Sequence, residues 1–119
     1  MTVRYTFKRG ERLCHTRDFN RVKQNGRYFF YKGLIVYILQ ENTARLPRLG
    51  LVVGKRFGNA VKRNRMKRLI REAFRLNKHK LLSGCDIVAI PRQELHGSAY
   101  HEIEKRFTWL CSKAKIVRE

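Results

Sequence analysis

Apolar residues along the chain recur with two different periods, which separate predicted helices from predicted strands. Between residues 59 and 77 they recur three and four positions apart, the spacing of one side of an α-helix. Asn59 can cap such a helix, and the first residue that resembles a stop is Asn77. The pattern therefore predicts a helix over about residues 59–77. Its apolar stripe consists of Met66, Leu69, Ile70, Ala73 and Phe74.

Shorter apolar runs, rich in aromatic and β-branched residues, predict four strands. The first two are separated by a break at Lys32 and Gly33, and the second is apolar enough to be covered on both faces at least in part. Strand alternation places Tyr37 on one face with Ile35 and Leu39. The predicted strands are residues 27–31, 34–39, 48–54 and 85–90.

Two further helices are predicted near the ends of the chain, over about residues 17–25 and 99–115. Thr16 and Ser98 are their candidate N-caps. Residues 1–15 are basic without a clear period, so we expect an extended N-terminal arm. The order αβββαβα over residues 1–119 predicts a single-domain α+β sandwich.

Charge is concentrated on the central predicted helix and the residues around it. The chain carries a formal charge of +19, and Lys55 to Lys80 contain eleven cations against the single carboxylate Glu72. Like charges on one helical face repel, and cations in the first turn, here Lys62 and Arg63, oppose the helix dipole. Such a face is typical of nucleic-acid-binding proteins. The charged face of the predicted central helix consists of Asn64, Lys67, Arg68, Arg71, Arg75 and Lys78.

Other binding classes have little support in the sequence. No run approaches the 18 apolar residues of a membrane span, and the N-terminus lacks a signal-peptide hydrophobic region, so we expect a cytoplasmic protein. Three cysteines without a C-x-x-C pair predict reduced, buried or half-buried thiols. The four histidines lack zinc-ligand spacing, so no metal ligand is assigned to the protein.

The sequence also offers no arrangement of catalytic side chains. The nine carboxylates are scattered, whereas a metal-dependent nuclease clusters them. The aromatic residues could instead form a surface on which unpaired bases stack, although most are expected to fill the core. These aromatics are Phe19, Tyr28, Phe29, Phe30, Tyr31 and Tyr37. We therefore assign no catalytic residue and expect any chemistry to be carried by a partner.

The central segment GNAVKRNRMKRLIREAF, residues 58–74, resembles the signature of the bacterial ribonuclease P protein component. Arg63-Asn64-Arg65 matches the Arg-Asn-Arg motif of that family. Residues 16–19 (TRDF), 48–53 (RLGLVV) and 86–90 (DIVAI) also resemble family positions, in the same order along the chain. The resemblance thus covers nearly the whole chain.

This resemblance implies both a fold and a function. The expected fold is that of the second domain of ribosomal protein S5, with a left-handed β-α-β crossover in place of the usual right-handed one. The expected function is to bind a catalytic RNA subunit and the 5′ leader of precursor tRNA. The protein then assists endonucleolytic removal of the leader and broadens the ribozyme's substrate specificity, while the RNA and its bound magnesium perform the chemistry.

The resemblance further implies two groups of site residues. Phe19 and Tyr37 correspond to aromatics of a leader-binding cleft, and Lys23 stands where a second aromatic is common in the family. Residues expected to contact the RNA subunit are Lys55, Arg56, Asn59, Lys62, Arg63, Asn64, Arg65, Lys67, Arg68 and Arg71.

Three alternatives remain open from the residues alone. A ribosomal-protein-like module that only stabilises folded RNA has a similar composition. A DNA-binding recognition helix is a second alternative, although the chain lacks the three-helix pattern that such a motif requires. The third is a nuclease that is active without RNA, which would depend on one of the scattered carboxylates.

Overall fold

The structure, a computed structural model, describes residues 9–118. Within these residues, three α-helices and four β-strands follow in the predicted order αβββαβα, which is confirmed. Their bounds are α1 Thr16–Asn25, β1 Arg27–Tyr31, β2 Leu34–Gln40, β3 Arg48–Leu51, α2 Ala60–Asn77, β4 Cys85–Pro91 and α3 Tyr100–Lys113. Short 3-10 turns occupy Arg9–Glu11, Lys78–Lys80 and Gln93–Leu95.

The four strands form one sheet in the order β1-β2-β4-β3. Only β3 and β4 are parallel, and α2 connects them in a β-α-β unit. The left hand that the resemblance implies for this unit stays a prediction. The hairpin between β1 and β2 turns at Lys32 and Gly33, with φ angles of 44° and 94°. Two successive positive φ angles match the right-handed twist of the strands, and glycine adopts them without strain.

Alternation along β2 divides the protein into two layers, one on each face of the sheet. Leu34, Val36 and Ile38 are buried in the main core beneath α2 and α3. The opposite face carries Tyr37, which packs in a smaller apolar cluster with residues of α1. The predicted α+β sandwich is therefore confirmed, with a thick layer of two helices on one face and α1 alone on the other.

Helix α2 begins and packs as its sequence predicts. The Asn59 side chain accepts a hydrogen bond from the Lys62 backbone N–H at 2.9 Å, which confirms the N-cap. Met66, Ile70 and Phe74 are at most 1% exposed. Burial of this apolar side against the sheet and α3 leaves the opposite side of α2 facing outward.

Several predicted boundaries are wrong. Thr16 lies inside α1, which His15 precedes without a side-chain cap. Ser98 does not cap α3; the helix begins after Ala99, whose N–H donates to the Glu102 carboxylate. A carboxylate from within the helix can therefore accept a hydrogen bond from a free backbone N–H at the helix start, in place of the expected hydroxyl. Strand β3 ends at Leu51 rather than at residue 54, since the chain turns away toward α2.

The N-terminal arm is only partly extended in the region that the structure describes. Residues 9–11 form a 3-10 turn, whereas Arg12 pairs with Leu49 beside β3. The Leu13 N–H donates to the Leu49 carbonyl at 2.9 Å, and its side chain is 5% exposed. The arm thus lies along the edge of β3, while residues 1–8 of the prediction lie outside the described residues.

The three cysteines are free, but their environments differ from the prediction in one case. Cys14 is exposed, contrary to the expectation of buried or half-buried thiols. Cys85 and Cys111 are buried, as expected. Burial raises the pKa of Cys85 to about 11. A thiol with such a raised pKa stays protonated and unreactive at neutral pH.

Candidate nucleic-acid interface

The outward side of α2 and the loop before it bring together all ten residues that the sequence assigns to an RNA subunit. We call this surface the cationic face, and it includes eight lysines and arginines. Seven of the ten residues are exposed and three are half-buried. The exposed residues are Lys55, Arg56, Asn59, Lys62, Asn64, Arg68 and Arg71; the half-buried ones are Arg63, Arg65 and Lys67.

Two of the half-buried arginines are held by backbone carbonyls. Arg63 Nη1 donates to the Gly58 carbonyl at 3.0 Å, next to the start of α2. Arg65 Nη2 donates to the Ser98 carbonyl at 2.7 Å, which links α2 to the segment before α3. A guanidinium has five N–H donors, so each arginine keeps further donors for a ligand. These bonds orient two residues of the Arg-Asn-Arg motif before any partner binds.

The cationic face is not neutralised by the protein itself. Among residues 9–118, none of its eight cations forms an ion pair with a carboxylate. The prediction was wrong at the C-terminal end of this helical face. Arg75 pairs with Glu72, and Lys78 pairs with the buried Glu11. On this side of the protein, the cations without a carboxylate partner therefore lie in the loop before α2 and in roughly its first three turns.

A second candidate surface lies on the opposite face of the sheet, beside α1. Phe19 of α1 is half-buried and packs in one cluster with Tyr37 of β2. Lys23, one turn further along α1, is exposed. The ring of Tyr37 meets that of Tyr28 edge to face, with centroids 5.3 Å apart. The three predicted cleft residues thus lie on α1 and on the sheet face that α1 covers.

The open part of this sheet face carries two aromatics that the sequence did not assign to the cleft. Tyr28 and Phe30 of β1 are 55% and 44% exposed. Their register partners on β2 are Tyr37 and Ile35, so all four side chains share one face. Alternation along β1 could have predicted that Tyr28 and Phe30 share the cleft face, because Phe29 and Tyr31 point to the other face and pack against the main core.

A groove of about 510 Å³ continues from this aromatic face toward the cationic face. Ile35 contributes to it from the sheet, Arg56 from the loop before α2, and Arg92 from the residue after β4. No pattern in the sequence pointed to Arg92, because only the fold brings the end of β4 beside that loop. The groove connects two surfaces that the sequence treats separately.

A buried carboxylate fixes α1 against the sheet. The side chain of Asp86 on β4 is fully buried and accepts hydrogen bonds from Arg21 at 2.6 Å, Arg45 at 2.7 Å and Arg48 at 2.7 Å. Burial acts to raise the pKa of Asp86, but the three guanidinium groups outweigh it, and the pKa lies below its ordinary value. The ionised carboxylate therefore ties α1, through Arg21, to β3 and β4.

Gly50 on β3 provides the space in which Phe19 lies. A methyl group at this position would come within 2.7 Å of the Phe19 ring and 3.0 Å of Leu13. We expect Gly50→Ala to displace the ring and lower the free energy of unfolding by about 1–3 kcal/mol, the usual cost of overpacking. Urea denaturation measures this change. An unfolding free energy equal to that of the wild type would show that Phe19 is not seated on Gly50.

Within residues 9–118, no three histidine, cysteine, aspartate or glutamate side chains come together as a metal site. None of the helices there combines the length and hydrophobicity needed to cross a membrane.

Known proteins are similar to this chain in both sequence and fold. A sequence profile of the family described as Ribonuclease P matches residues 7–115. The ribonuclease P protein component of Syntrophus aciditrophicus is 40% identical over 108 residues, which cover 91% of this chain and 90% of that protein. The corresponding protein of Clostridioides difficile is 38% identical over 111 residues, covering 92% and 96%.

Solved structures show the same similarity in three dimensions. The RNase P protein of Staphylococcus aureus matches with a TM-score of 0.82 at 31% identity, over 91% of this chain and 98% of that one. The RNase P protein of Thermotoga maritima matches with a TM-score of 0.77 at 33% identity, over 87% and 96%. The matched residues 7–115 include all three α-helices and all four strands. The chain belongs to the ribonuclease P protein family.

Proposed function

We propose that this ribonuclease P protein binds the catalytic RNA subunit through its cationic face and the 5′ leader of precursor tRNA through the cleft beside α1. The bound protein assists endonucleolytic removal of the leader, which generates the mature 5′ end of the tRNA. By holding both RNAs it offsets the repulsion between their phosphates and broadens the range of substrates that the ribozyme accepts.

The observation that carries this proposal is the unpaired charge of the cationic face. A row of exposed guanidinium and ammonium groups without carboxylate partners in residues 9–118 costs folding free energy through repulsion, which bound phosphates relieve. Arginine suits this role because its planar fork donates two hydrogen bonds to one phosphate. Folded RNA, read through its shape and backbone, fits such a surface.

The cleft offers a different kind of contact, suited to a single strand. Exposed aromatic rings stack on bases of any sequence, with about 1–3 kcal/mol per base. Tyr28 and Phe30 add exposed rings beside Tyr37, and Lys23 adds a cation for the backbone. Leaders differ in sequence among precursor tRNAs, so a sequence-tolerant grip fits this substrate.

We assign no catalytic residue and no metal ligand to the protein in this proposal. Magnesium is instead expected to be bound mainly by phosphates of the RNA subunit, which performs the hydrolysis.

The experiment compares precursor tRNA with mature tRNA, each titrated into the RNA subunit with and without the full-length protein. We expect the protein to tighten binding of the precursor more than binding of mature tRNA. Lys23→Ala should reduce this preference about threefold to tenfold by removing one phosphate contact, while assembly with the RNA subunit stays unchanged. Lys105→Ala, which removes an exposed cation from α3, serves as the control.

Equal affinities for precursor and mature tRNA in the presence of the protein would contradict the leader-binding role. They would favour a module that only stabilises folded RNA. Cleavage of precursor tRNA by the protein without any RNA subunit would contradict the proposed division of labour.

A further inference from the structure

Strand β1 forms an open edge of the sheet. Its only strand neighbour among residues 9–118 is β2, whereas the opposite edge, at β3, is partly covered by the N-terminal arm. Exposed strand edges are normally protected by proline, by a bulge or by charges along the strand. Residues 28–31 of β1 are all aromatic, and charges stand only at its ends, at Arg27 and Lys32. Such an edge can accept a further strand.

The register of the hairpin shows which backbone groups face this edge. Two residues separate β1 from β2, and Tyr31 lies opposite Leu34 across the turn. In such a hairpin the pair next to the turn is hydrogen-bonded, and the bonded pairs alternate from there. The N–H and C=O groups of Tyr28 and Phe30 therefore point away from β2. Within residues 9–118 neither residue forms a hydrogen bond outside the sheet, and both are exposed.

A stacked pair of aromatic rings lies beside the same strand. The ring of Tyr31 stacks on that of Trp109 in α3, with centroids 4.0 Å apart and planes 15° from parallel. Trp109 nevertheless remains 41% exposed. The Lys32 ammonium lies 5.4 Å from the centre of the Tyr31 ring. The two rings offer an apolar contact to a side chain of any strand that pairs with β1.

The charged groups around these rings are mainly cations. Lys105 and Lys113 stand four residues before and after Trp109, so they lie on the same side of α3, and both are exposed. Neither forms an ion pair within the described part of the chain. Arg106, one turn before Trp109, has the Glu102 carboxylate 4.0 Å away. With the two cations at the ends of β1, this surface carries a net positive charge.

We propose that the outer edge of β1 binds an extended acidic segment of a partner protein as a fifth strand. This inference goes beyond the proposed function and depends neither on the cationic face nor on the leader. The segment's backbone pairs with Tyr28 and Phe30, one of its apolar side chains packs on Trp109, and its carboxylates face Lys105 and Lys113.

Two features of the surface select this occupant over others. Free N–H and C=O groups of a strand continue a β-ladder with a peptide, which the backbone of RNA cannot do. The surrounding cations favour an acidic segment. A second copy of this chain would carry a further charge of +19 and would be repelled.

The first test compares two labelled peptides by fluorescence polarisation with the full-length protein. The probe has about eight residues of alternating glutamate and valine, a usual strand length. The control peptide has the same charge, but its two central valines are replaced by proline, which disfavours strand pairing. We expect the control to bind at least about tenfold more weakly, because it leaves edge groups unpaired. Emission of Trp109, the single tryptophan of the chain, should change only with the probe.

The second test uses variants of the protein. Phe30→Pro removes an outward N–H and keeps the bonds between β1 and β2, whereas Phe30→Ala removes the same ring and keeps that N–H. We expect Phe30→Pro to bind the probe about tenfold less tightly than Phe30→Ala. Lys105→Glu/Lys113→Glu should weaken binding by a similar factor. Lys67→Glu/Arg71→Glu, with the same charge change on α2, should weaken it less than about threefold.

Three results would overturn the proposal. Equal affinities for the two peptides, or equal losses in the two charge-reversal variants, would show attraction by net charge alone. Tighter binding of a single-stranded oligouridylate, seen in Trp109 emission and weakened by Lys105→Glu/Lys113→Glu, would show that the surface binds RNA instead. Circular dichroism checks that Phe30→Pro folds, and if it does not, the two peptides on the wild-type protein decide.

Discussion

Replacing Arg68 and Arg71 together by alanine should weaken binding of the RNA subunit about 100-fold near physiological salt. Both side chains are exposed on the cationic face and have no carboxylate partner in the described part of the chain. Losing two phosphate contacts should also reduce the slope of log K against log salt by roughly 1.4–1.8. Filter binding or fluorescence titration over a range of salt concentrations measures both quantities.

The matched control removes the same charge from another helix. Lys105 and Lys113 are exposed residues of α3, so the double variant Lys105→Ala/Lys113→Ala has the same net charge as the variant on α2. We expect its affinity to fall less than threefold, because distant surface charges are largely screened. Equal losses in the two double variants would show that net charge, rather than the cationic face, determines binding.

Asp86→Asn should lower the free energy of unfolding by about 3 kcal/mol, the usual cost of removing one partner from a buried ion pair. The substitution keeps the shape of the side chain but leaves Arg21, Arg45 and Arg48 without their shared countercharge. Thermal unfolding should show a melting temperature lower by roughly 10 °C. Because Arg21 then loses its tie to β4, α1 and its cleft residues Phe19 and Lys23 should also become less fixed.

The dependence of this effect on pH follows from the lowered pKa of Asp86. In the unfolded chain this group titrates near its ordinary value of 3.8. A lowered pKa in the folded state stabilises the protein above that value, and the stabilisation is lost as pH falls through the folded pKa. The difference between wild type and Asp86→Asn should therefore be constant from about pH 5 upward and shrink below about pH 4.

A second carboxylate in the same cluster provides the comparison. Asp18 lies 3.8 Å from Arg21, and its side chain is 21% exposed. Asp18→Asn should cost less than about 1 kcal/mol, as expected for a partly exposed pair. If both variants lost the same amount, burial of Asp86 would not be what makes its ion pairs important.

Much of the fold could be predicted from the spacing of apolar residues and from the residues that cap helices or form turns. Three local signals are confirmed by the structure: the apolar period of α2, the N-cap at Asn59 and the turn at Lys32 and Gly33. The outward direction of Arg68 and Arg71 follows from the same period. Residues on one helix have their relative directions fixed by geometry, so no knowledge of tertiary structure was needed.

The features that could not be predicted depend on which segments meet in space. Arg75 and Lys78 share the helical spacing of the cationic face, but each has a carboxylate partner, in one case from the distant Glu11. In the sequence Asp86 is an ordinary strand residue, whereas in the structure three arginines from separate segments surround it. Apart from the pair of Arg75 with Glu72, which are three residues apart on α2, these contacts join residues that are far apart in the sequence, so the sequence pattern carries no record of them.

Directed hydroxyl-radical cleavage maps where the cationic face lies on the RNA subunit. An iron chelate attached to Arg68→Cys, in a Cys14→Ser background that removes the exposed native thiol, generates hydroxyl radicals close to α2. We predict localised cleavage of the RNA subunit from position 68 in the assembled complex, and little or none from a chelate at Lys113→Cys on α3. Equal cleavage from both positions, or none from position 68, would contradict an outward cationic face bound to the RNA subunit.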